Sequence, residues 1–110
     1  NSGAKAMNEL LSLTKRPTAA LCFDTSIALG AFRESTSQGV QIPKDFSLIA
    51  FRGYPTSSFN SIITTIDAVE SNVGRVILEA IFHDFKDEEK KYSDILIDLK
   101  VTENGSCQKI

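Results

Sequence analysis

The sequence has 110 residues, of which 42% are hydrophobic and 24% charged, a balance typical of a globular protein and not of a disordered tail. At about 100 to 200 residues per domain, this length allows one domain at most. The formal net charge is only −2 and the basic residues are scattered, so this segment itself is not expected to bind nucleic acid.

The first elements follow from the spacing of apolar residues. Met7, Leu10 and Leu11 recur at helical spacing, which predicts a helix over residues 4–13, and Pro17 ends that pattern. The apolar run over residues 19–23 predicts a strand. No apolar run approaches the roughly 20 residues of a membrane span, so no membrane partner is expected.

A second helix and a second strand follow at once. Asp24 or Thr25 can cap the helix, and Gly39 is expected to end it. The apolar run over residues 46–51 then completes a strand–helix–strand unit of the kind that builds parallel sheets. Ligands of such sheets bind beyond the carboxyl ends of the strands, where Asp24, Thr25 and Arg52 lie.

The second half of the chain predicts one helix and one strand. Asp67 and Glu70 have the spacing of a capping box, which predicts a helix over residues 67–83. Its apolar stripe consists of Val69, Val73, Val76, Ile77, Ala80 and Ile81. Residues 84–94 form a solvated charge run, residues 95–102 alternate like a strand, and Asn104-Gly105 predicts a turn.

The two cysteines, Cys22 and Cys107, lack metal-ligand spacing. Cys22 lies inside an apolar strand and Cys107 near the end of the sequence. Both are expected to be reduced, as in a cytoplasmic protein. The sequence also shows no signal-peptide pattern.

Several short motifs occur in a fixed order over roughly residues 7–107. They are Pro17-Thr18-Ala19, Ala28-Leu29-Gly30-Ala31, Gly39, Pro43, Asp45, the run 46–51, Ile63-Thr64-Thr65-Ile66, Val73-Gly74, and Val101-Thr102-Glu103 with Ser106. In this order the motifs resemble the effector-binding domain of the lactose-repressor/galactose-repressor family of bacterial transcription regulators.

The resemblance implies an α/β fold with a parallel sheet, similar to a subdomain of the periplasmic binding proteins, with helices on both faces. It implies that residues 1–110 are the carboxyl-terminal part of an effector-binding domain. A complete member carries a DNA-binding domain at its amino terminus, so operator DNA would be bound only through that missing part. The expected function is a cytoplasmic transcriptional regulator that senses a sugar or a phosphorylated or otherwise anionic metabolite.

Two residues are candidate ligand contacts. Asp24 stands where sugar-binding members have an asparagine that hydrogen-bonds the effector. Arg52 stands where the family usually has an aspartate that accepts hydrogen bonds from sugar hydroxyls. Arginine donates five N–H groups in a fork suited to carboxylate or phosphate, which favours an anionic effector. The alternative is that Arg52 only pairs with Asp24 in a pocket that binds nothing.

Enzymatic functions are not expected. A phosphoacceptor or hydrolase aspartate at Asp24 would need a second acid two residues later to hold magnesium, and Ser26 stands there. His83 is placed at a helix end, where the helix dipole favours it. No catalytic residues, metal site or cofactor are predicted. A solute-binding protein of a sugar transporter and a dimerisation scaffold with a degenerate pocket remain the alternative functions.

A homodimer or higher oligomer is expected. In the family, the helix that follows the first strand lies in the dimer interface, and here it carries Leu29 and Phe32, with Phe59 in a later loop. The helix over residues 67–83 would normally cover the sheet of another lobe. Its apolar stripe must therefore fold back on this chain or dock on a second chain.

Overall fold

The structure is a computed structural model that describes residues 2–52, 62–68, 70–84 and 96–109. The chain forms two compact units, one of Asn1–Ile66 with Val101–Ile110 and one of Asp67–Lys100. Its elements are α1 (Ser2–Ser12), β1 (Ala19–Cys22), α2 (Thr25–Ser37), β2 (Ser47–Phe51), β3 (Thr64–Ala68), α3 (Glu70–Asp84) and β4 (Leu99–Thr102).

The strands form one sheet in the order β1-β2-β3-β4. β1 pairs in parallel with β2, with Cys22 beside Ala50, and β2 pairs in parallel with β3, with Ala50 beside Thr65. Side chains alternate between the two faces of a strand, so these three residues share one face. The α/β class and the parallel sheet predicted from the sequence are confirmed.

The core of the first unit lies on that face of the sheet, which we call the first face. The fully buried core residues are Leu48 and Ala50 of β2, Ala28 of α2, and Phe46, which precedes β2. α2 contacts both β1 and β2, and α1 packs on α2. On the opposite face Leu21 and Phe51 are exposed. The expected second layer of helices is therefore not among the described elements of this unit.

Glycines set two details of the helical layer. A Cβ atom at Gly3 would lie 2.0 Å from the carbonyl oxygen of Ile27, so only glycine lets α1 approach α2 this closely. Gly39 has φ of 74°, the left-handed conformation that glycine adopts without strain, and it follows the last turn of α2. The predicted end of α2 is thus confirmed.

The second unit contains α3. Val73, Val76 and Ala80 are half-buried, whereas Ile77 and Ile81 of the predicted stripe are exposed. Leu78 and Phe82 are exposed as well. Arg75 and Glu79 form an exposed ion pair of 3.0 Å, four residues apart along the helix. Two residues of the predicted apolar stripe, Ile77 and Ile81, are thus exposed to solvent in this chain.

The boundaries of α3 and of the last strand differ from those predicted from the sequence. The predicted helix start at Asp67 is wrong, because Asp67 belongs to β3 and α3 begins at Glu70. β3 pairs with β2 as far as Ile66 and continues to Ala68, so Asp67 lies in the strand and not at the start of the helix. The last strand begins at Leu99, later than predicted, and residues 96–98 are not in a strand. The charge run lies almost wholly outside the described residues.

Cys22 is buried and Cys107 is exposed, and both are free thiols. At the predicted turn, the chain bends at residues 105–106 and Gly105 has φ of 83°. Among the described residues, no helix is long and apolar enough to cross a membrane.

Candidate functional site

The carboxyl ends of β1 and β2 lie side by side. Cys22 and Ala50 are the last paired residues of the two strands, and Asp24 and Arg52 each lie two positions further along. Neighbouring strands are about 4.8 Å apart, so the register brings both predicted contact residues to the same edge of the sheet. Their direct pairing stays a prediction.

Asp24 caps α2. Its Oδ1 atom accepts hydrogen bonds from the Ser26 hydroxyl at 2.7 Å and from the Ile27 backbone N–H at 2.8 Å. These hydrogen bonds, the one from Ser26 foremost, hold the pKa of the Asp24 carboxyl below its ordinary value. Because both go to Oδ1, Oδ2 can accept a hydrogen bond from a ligand. Thr25, the other predicted cap, is the first helical residue.

Arg52 is held at the end of β2 by two contacts with β3. Its backbone N–H donates to the carbonyl of Ile66 at 2.9 Å, which continues the sheet ladder one residue past the strand. Its guanidinium Nη2 donates to the hydroxyl of Thr65 at 3.1 Å. Thr65 is fully buried, whereas Arg52 is half-buried, so the guanidinium lies between the core and the edge of the sheet.

Sequence reasoning missed Thr65 as a partner of Arg52. The two residues are 13 positions apart, and their contact depends on the pairing of Ala50 with Thr65. The available signal was the Ile63-Thr64-Thr65-Ile66 motif, since a threonine at the start of a buried strand needs a hydrogen-bond partner.

A second polar cluster lies at the amino-terminal ends of β2 and β3. The Ser106 hydroxyl donates to the carbonyl of Leu48 and accepts the backbone N–H of Thr64 at 2.7 Å. The Leu48 N–H donates to the Ser106 carbonyl at 2.9 Å. Asn104 donates its side-chain amide to the carbonyl of Ile63. We call this cluster the Ser106 clasp; its polar groups are satisfied by each other, so it is structural.

These features define a class of protein. A parallel α/β sheet with an acceptor and a cation together at its carboxyl edge is typical of small-molecule-binding domains. Among the described residues, no group of histidine, cysteine or carboxylate side chains could hold a metal ion.

The sequence matches the model of the periplasmic binding protein-like domain over residues 1–107. The chain therefore belongs to that family. Its relatives and structural neighbours are regulators of the lactose-repressor type, so the predicted match to the effector-binding region of that family is confirmed. These relatives are repressors and not enzymes, in agreement with the class predicted from the sequence.

Two relatives illustrate the match. The chain is 37% identical over 92 residues to the HTH-type transcriptional repressor PurR of Actinobacillus pleuropneumoniae serotype 3 (strain JL03), covering 83% of this chain and 27% of the relative. It is 29% identical over 110 residues to the repressor CytR of Escherichia coli (strain K12), covering 99% of this chain and 32% of the relative. The chain thus spans about a third or less of the relatives it matches.

Two solved structures have the same fold as this chain. A putative transcriptional regulator LacI from Bacillus cereus subsp. cytotoxis NVH 391-98 superimposes with a TM-score of 0.81 at 27% identity, over 96% of this chain and 38% of that one. The regulator CcpA of Lactococcus lactis, at 19% identity and a TM-score of 0.78, shares the fold.

Proposed function

We propose that this chain is the carboxyl-terminal part of the effector-binding domain of a transcriptional regulator, which acts in the cytoplasm and represses or activates through a DNA-binding domain elsewhere in the protein. The observation that carries the proposal is the pair of side chains at the carboxyl ends of β1 and β2, in a family whose relatives are repressors. An effector would work by binding one arrangement of the protein better than another.

The effector that fits this pair carries both hydroxyl groups and a negative charge. Asp24 is ionised at neutral pH, as an aspartate with an ordinary or lowered pKa is, and its carboxylate can accept hydrogen bonds from hydroxyl groups. Arg52 donates to carboxylate or phosphate in a bidentate manner. A neutral sugar offers the guanidinium of Arg52 only uncharged acceptors, whereas a hydrogen bond to a charged group contributes about 1.5 to 3 kcal/mol. A sugar phosphate or sugar acid satisfies both residues.

The test is calorimetric titration of the intact protein with matched sugars: ribose against ribose 5-phosphate, and glucose against glucose 6-phosphate. We expect the phosphorylated member to bind more tightly in at least one pair. Arg52→Asp should weaken that binding by at least about tenfold, since it removes a charge-assisted contact. Arg16→Asp makes the same charge change at an exposed residue near the opposite end of β1 and should leave binding unchanged.

Three results would contradict the effector proposal. Preference for the neutral sugar, or equal binding by wild type and Arg52→Asp, would make Arg52 a structural partner only. Absence of binding to every sugar and sugar phosphate tested would favour a dimerisation scaffold.

We also propose that the regulator is a homodimer. Leu29 and Phe32 of α2 are half-buried, and Phe32 packs against the core, so Leu29 is the better interface candidate of the two. Phe59 lies outside the described residues. Light scattering of the intact protein at tens of micromolar should give the mass of a dimer or larger, and a monomer would contradict the proposal.

A further inference from the structure

The strand β3 begins with two buried threonines whose hydroxyl groups have different partners. Thr64 is 3% exposed and Thr65 is fully buried. Successive side chains of a strand point to opposite faces, so the two hydroxyls lie on different sides of the sheet. A buried hydroxyl needs a hydrogen-bond partner, and the identity of that partner shows which part of the protein each threonine supports.

The Thr64 hydroxyl supports the structure of the sheet. It accepts the backbone N–H of Asn104 at 3.2 Å. Asn104 also donates its side-chain amide to the carbonyl of Ile63, so this contact belongs to the Ser106 clasp. Thr64 therefore helps to join the last segment of the chain to β3.

The Thr65 hydroxyl instead contacts the candidate site. It accepts a hydrogen bond from the guanidinium Nη2 of Arg52 at 3.1 Å. Thr65 pairs with Ala50, and Arg52 lies two positions beyond Ala50, where its backbone N–H still donates to the carbonyl of Ile66. Both the backbone and the guanidinium of Arg52 are thus attached to β3.

A threonine hydroxyl suits an arginine that binds an anion. The hydroxyl is a neutral acceptor, so its hydrogen bond orients the guanidinium without cancelling the positive charge, as a carboxylate would. It engages one of the five N–H groups of arginine. A long arginine side chain loses rotamer freedom when it binds a ligand, and an orientation that is fixed beforehand reduces this loss.

We propose that Thr65 is a positioning residue of the effector site: its buried hydroxyl holds the Arg52 guanidinium in the orientation that binds the anionic group of the effector. The inference rests on the proposed function, in which Arg52 contacts that group. Thr65 is fully buried and so acts only through Arg52. It contributes to the selectivity for phosphorylated or acidic sugars over neutral ones.

The first measurement needs no effector. NMR spectra of the arginine guanidinium groups in the intact protein, with the Arg52 signals assigned through Arg52→Lys, show how freely this guanidinium turns. Wild type should give separate signals for the two Nη atoms. Thr65→Val replaces the hydroxyl by a methyl group and should merge them, whereas Thr65→Ser should keep them separate. Merged signals in wild type, or separate signals in Thr65→Val, would overturn the proposal.

The second measurement is calorimetric titration with the same pairs of neutral and phosphorylated sugars. Thr65→Val should weaken binding of the preferred phosphorylated sugar by about threefold to tenfold and leave binding of its neutral counterpart unchanged. Thr65→Ser should bind both sugars as wild type does, because it keeps the hydroxyl. Thr64→Val is the matched control: it removes a similarly buried hydroxyl from the same strand and should keep the wild-type selectivity.

The titrations separate a failure of this inference from a failure of the effector proposal. If wild type prefers the phosphorylated sugar and Thr65→Val keeps that preference, or if Thr64→Val loses it equally, the positioning role is wrong and the effector proposal stands. If wild type shows no such preference, the effector proposal fails and the positioning role fails with it. If Thr65→Val does not fold, Thr65→Ala replaces it in both measurements.

Discussion

The amino-terminal and carboxyl ends of the parallel strands both carry polar side chains, but in opposite settings. At the amino-terminal end, Ser106 is only 1% exposed, and its hydroxyl joins β2 to β3 through two hydrogen bonds. At the carboxyl end, Asp24 and Arg52 are half-buried and are held in place by one helix cap and one threonine hydroxyl. A buried, closed network has nothing to offer a ligand, whereas half-buried groups can exchange water for one.

Removal of the Ser106 hydroxyl is the strongest test of this contrast. Ser106→Ala leaves the buried N–H of Thr64 without its acceptor, so we expect the free energy of unfolding to fall by about 1 to 3 kcal/mol. Ser37→Ala is the matched control, because its hydroxyl donates to a carbonyl at an exposed site, and a change within about 0.5 kcal/mol is expected. Denaturant unfolding of both intact proteins gives the two values.

Equal effects of the two serine variants would mean that the Ser106 clasp adds nothing to stability. The contrast between the two ends of the sheet would then rest on exposure alone. Because Ser106 is not expected to contact the effector, Ser106→Ala should bind the effector as tightly as wild type. This affinity is measured at a temperature at which the variant is still folded.

The contrast also explains which features could be predicted from the sequence. Both ends of α2 were predicted, because an aspartate cap and a glycine with positive φ are local signals. The start of α3 is not predicted correctly, because Asp67 belongs to β3, a strand that forms by pairing with the distant β2. Local chemistry decides the first case and pairing between distant segments decides the second.

The same division holds for the two polar clusters. The capping role of Asp24 follows from residue type and position alone. The contact between Arg52 and Thr65 requires the strand register, and the Ser106 clasp joins residues 58 and 42 positions apart. Motif resemblance pointed to Ser106 as a residue of interest, but only the fold shows that its hydroxyl is structural.

Asp24 allows a smaller test, since it combines a structural and a proposed ligand-binding role. Asp24→Ala removes the cap of α2 and should lower the free energy of unfolding by about 0.5 to 2 kcal/mol. Asp24→Asn keeps a cap acceptor and should change stability much less, while it removes the charge. Unfolding curves at neutral pH separate the two variants, and equal losses would show that the charge, not the cap, matters.

The pH dependence of Asp24 has a definite sign. Its pKa is lower in the folded protein than in the unfolded chain, because Ser26 and Ile27 donate to the carboxylate. The stabilisation is therefore present above the ordinary aspartate pKa of about 3.9 and is lost as the pH falls through the lower folded value. The stability advantage of wild type over Asp24→Asn should shrink below about pH 4. An advantage that grows with acidity would contradict this assignment.

The smallest expected effect concerns Cys22, which shows that not every group at the carboxyl end of β1 is accessible. The pKa of its thiol is raised, first by burial and second by the negative charge of Asp24. The thiolate is the reactive form, so alkylation by iodoacetamide at neutral pH should reach Cys22 only when the protein unfolds. Because burial is the larger cause, Asp24→Asn should speed this reaction only slightly. Mass spectrometry of the intact protein with and without denaturant measures both rates. Rapid native-state alkylation of Cys22 in wild type would show that the first face opens to solvent at this end of the sheet, and the contrast between the two ends would have to be redrawn.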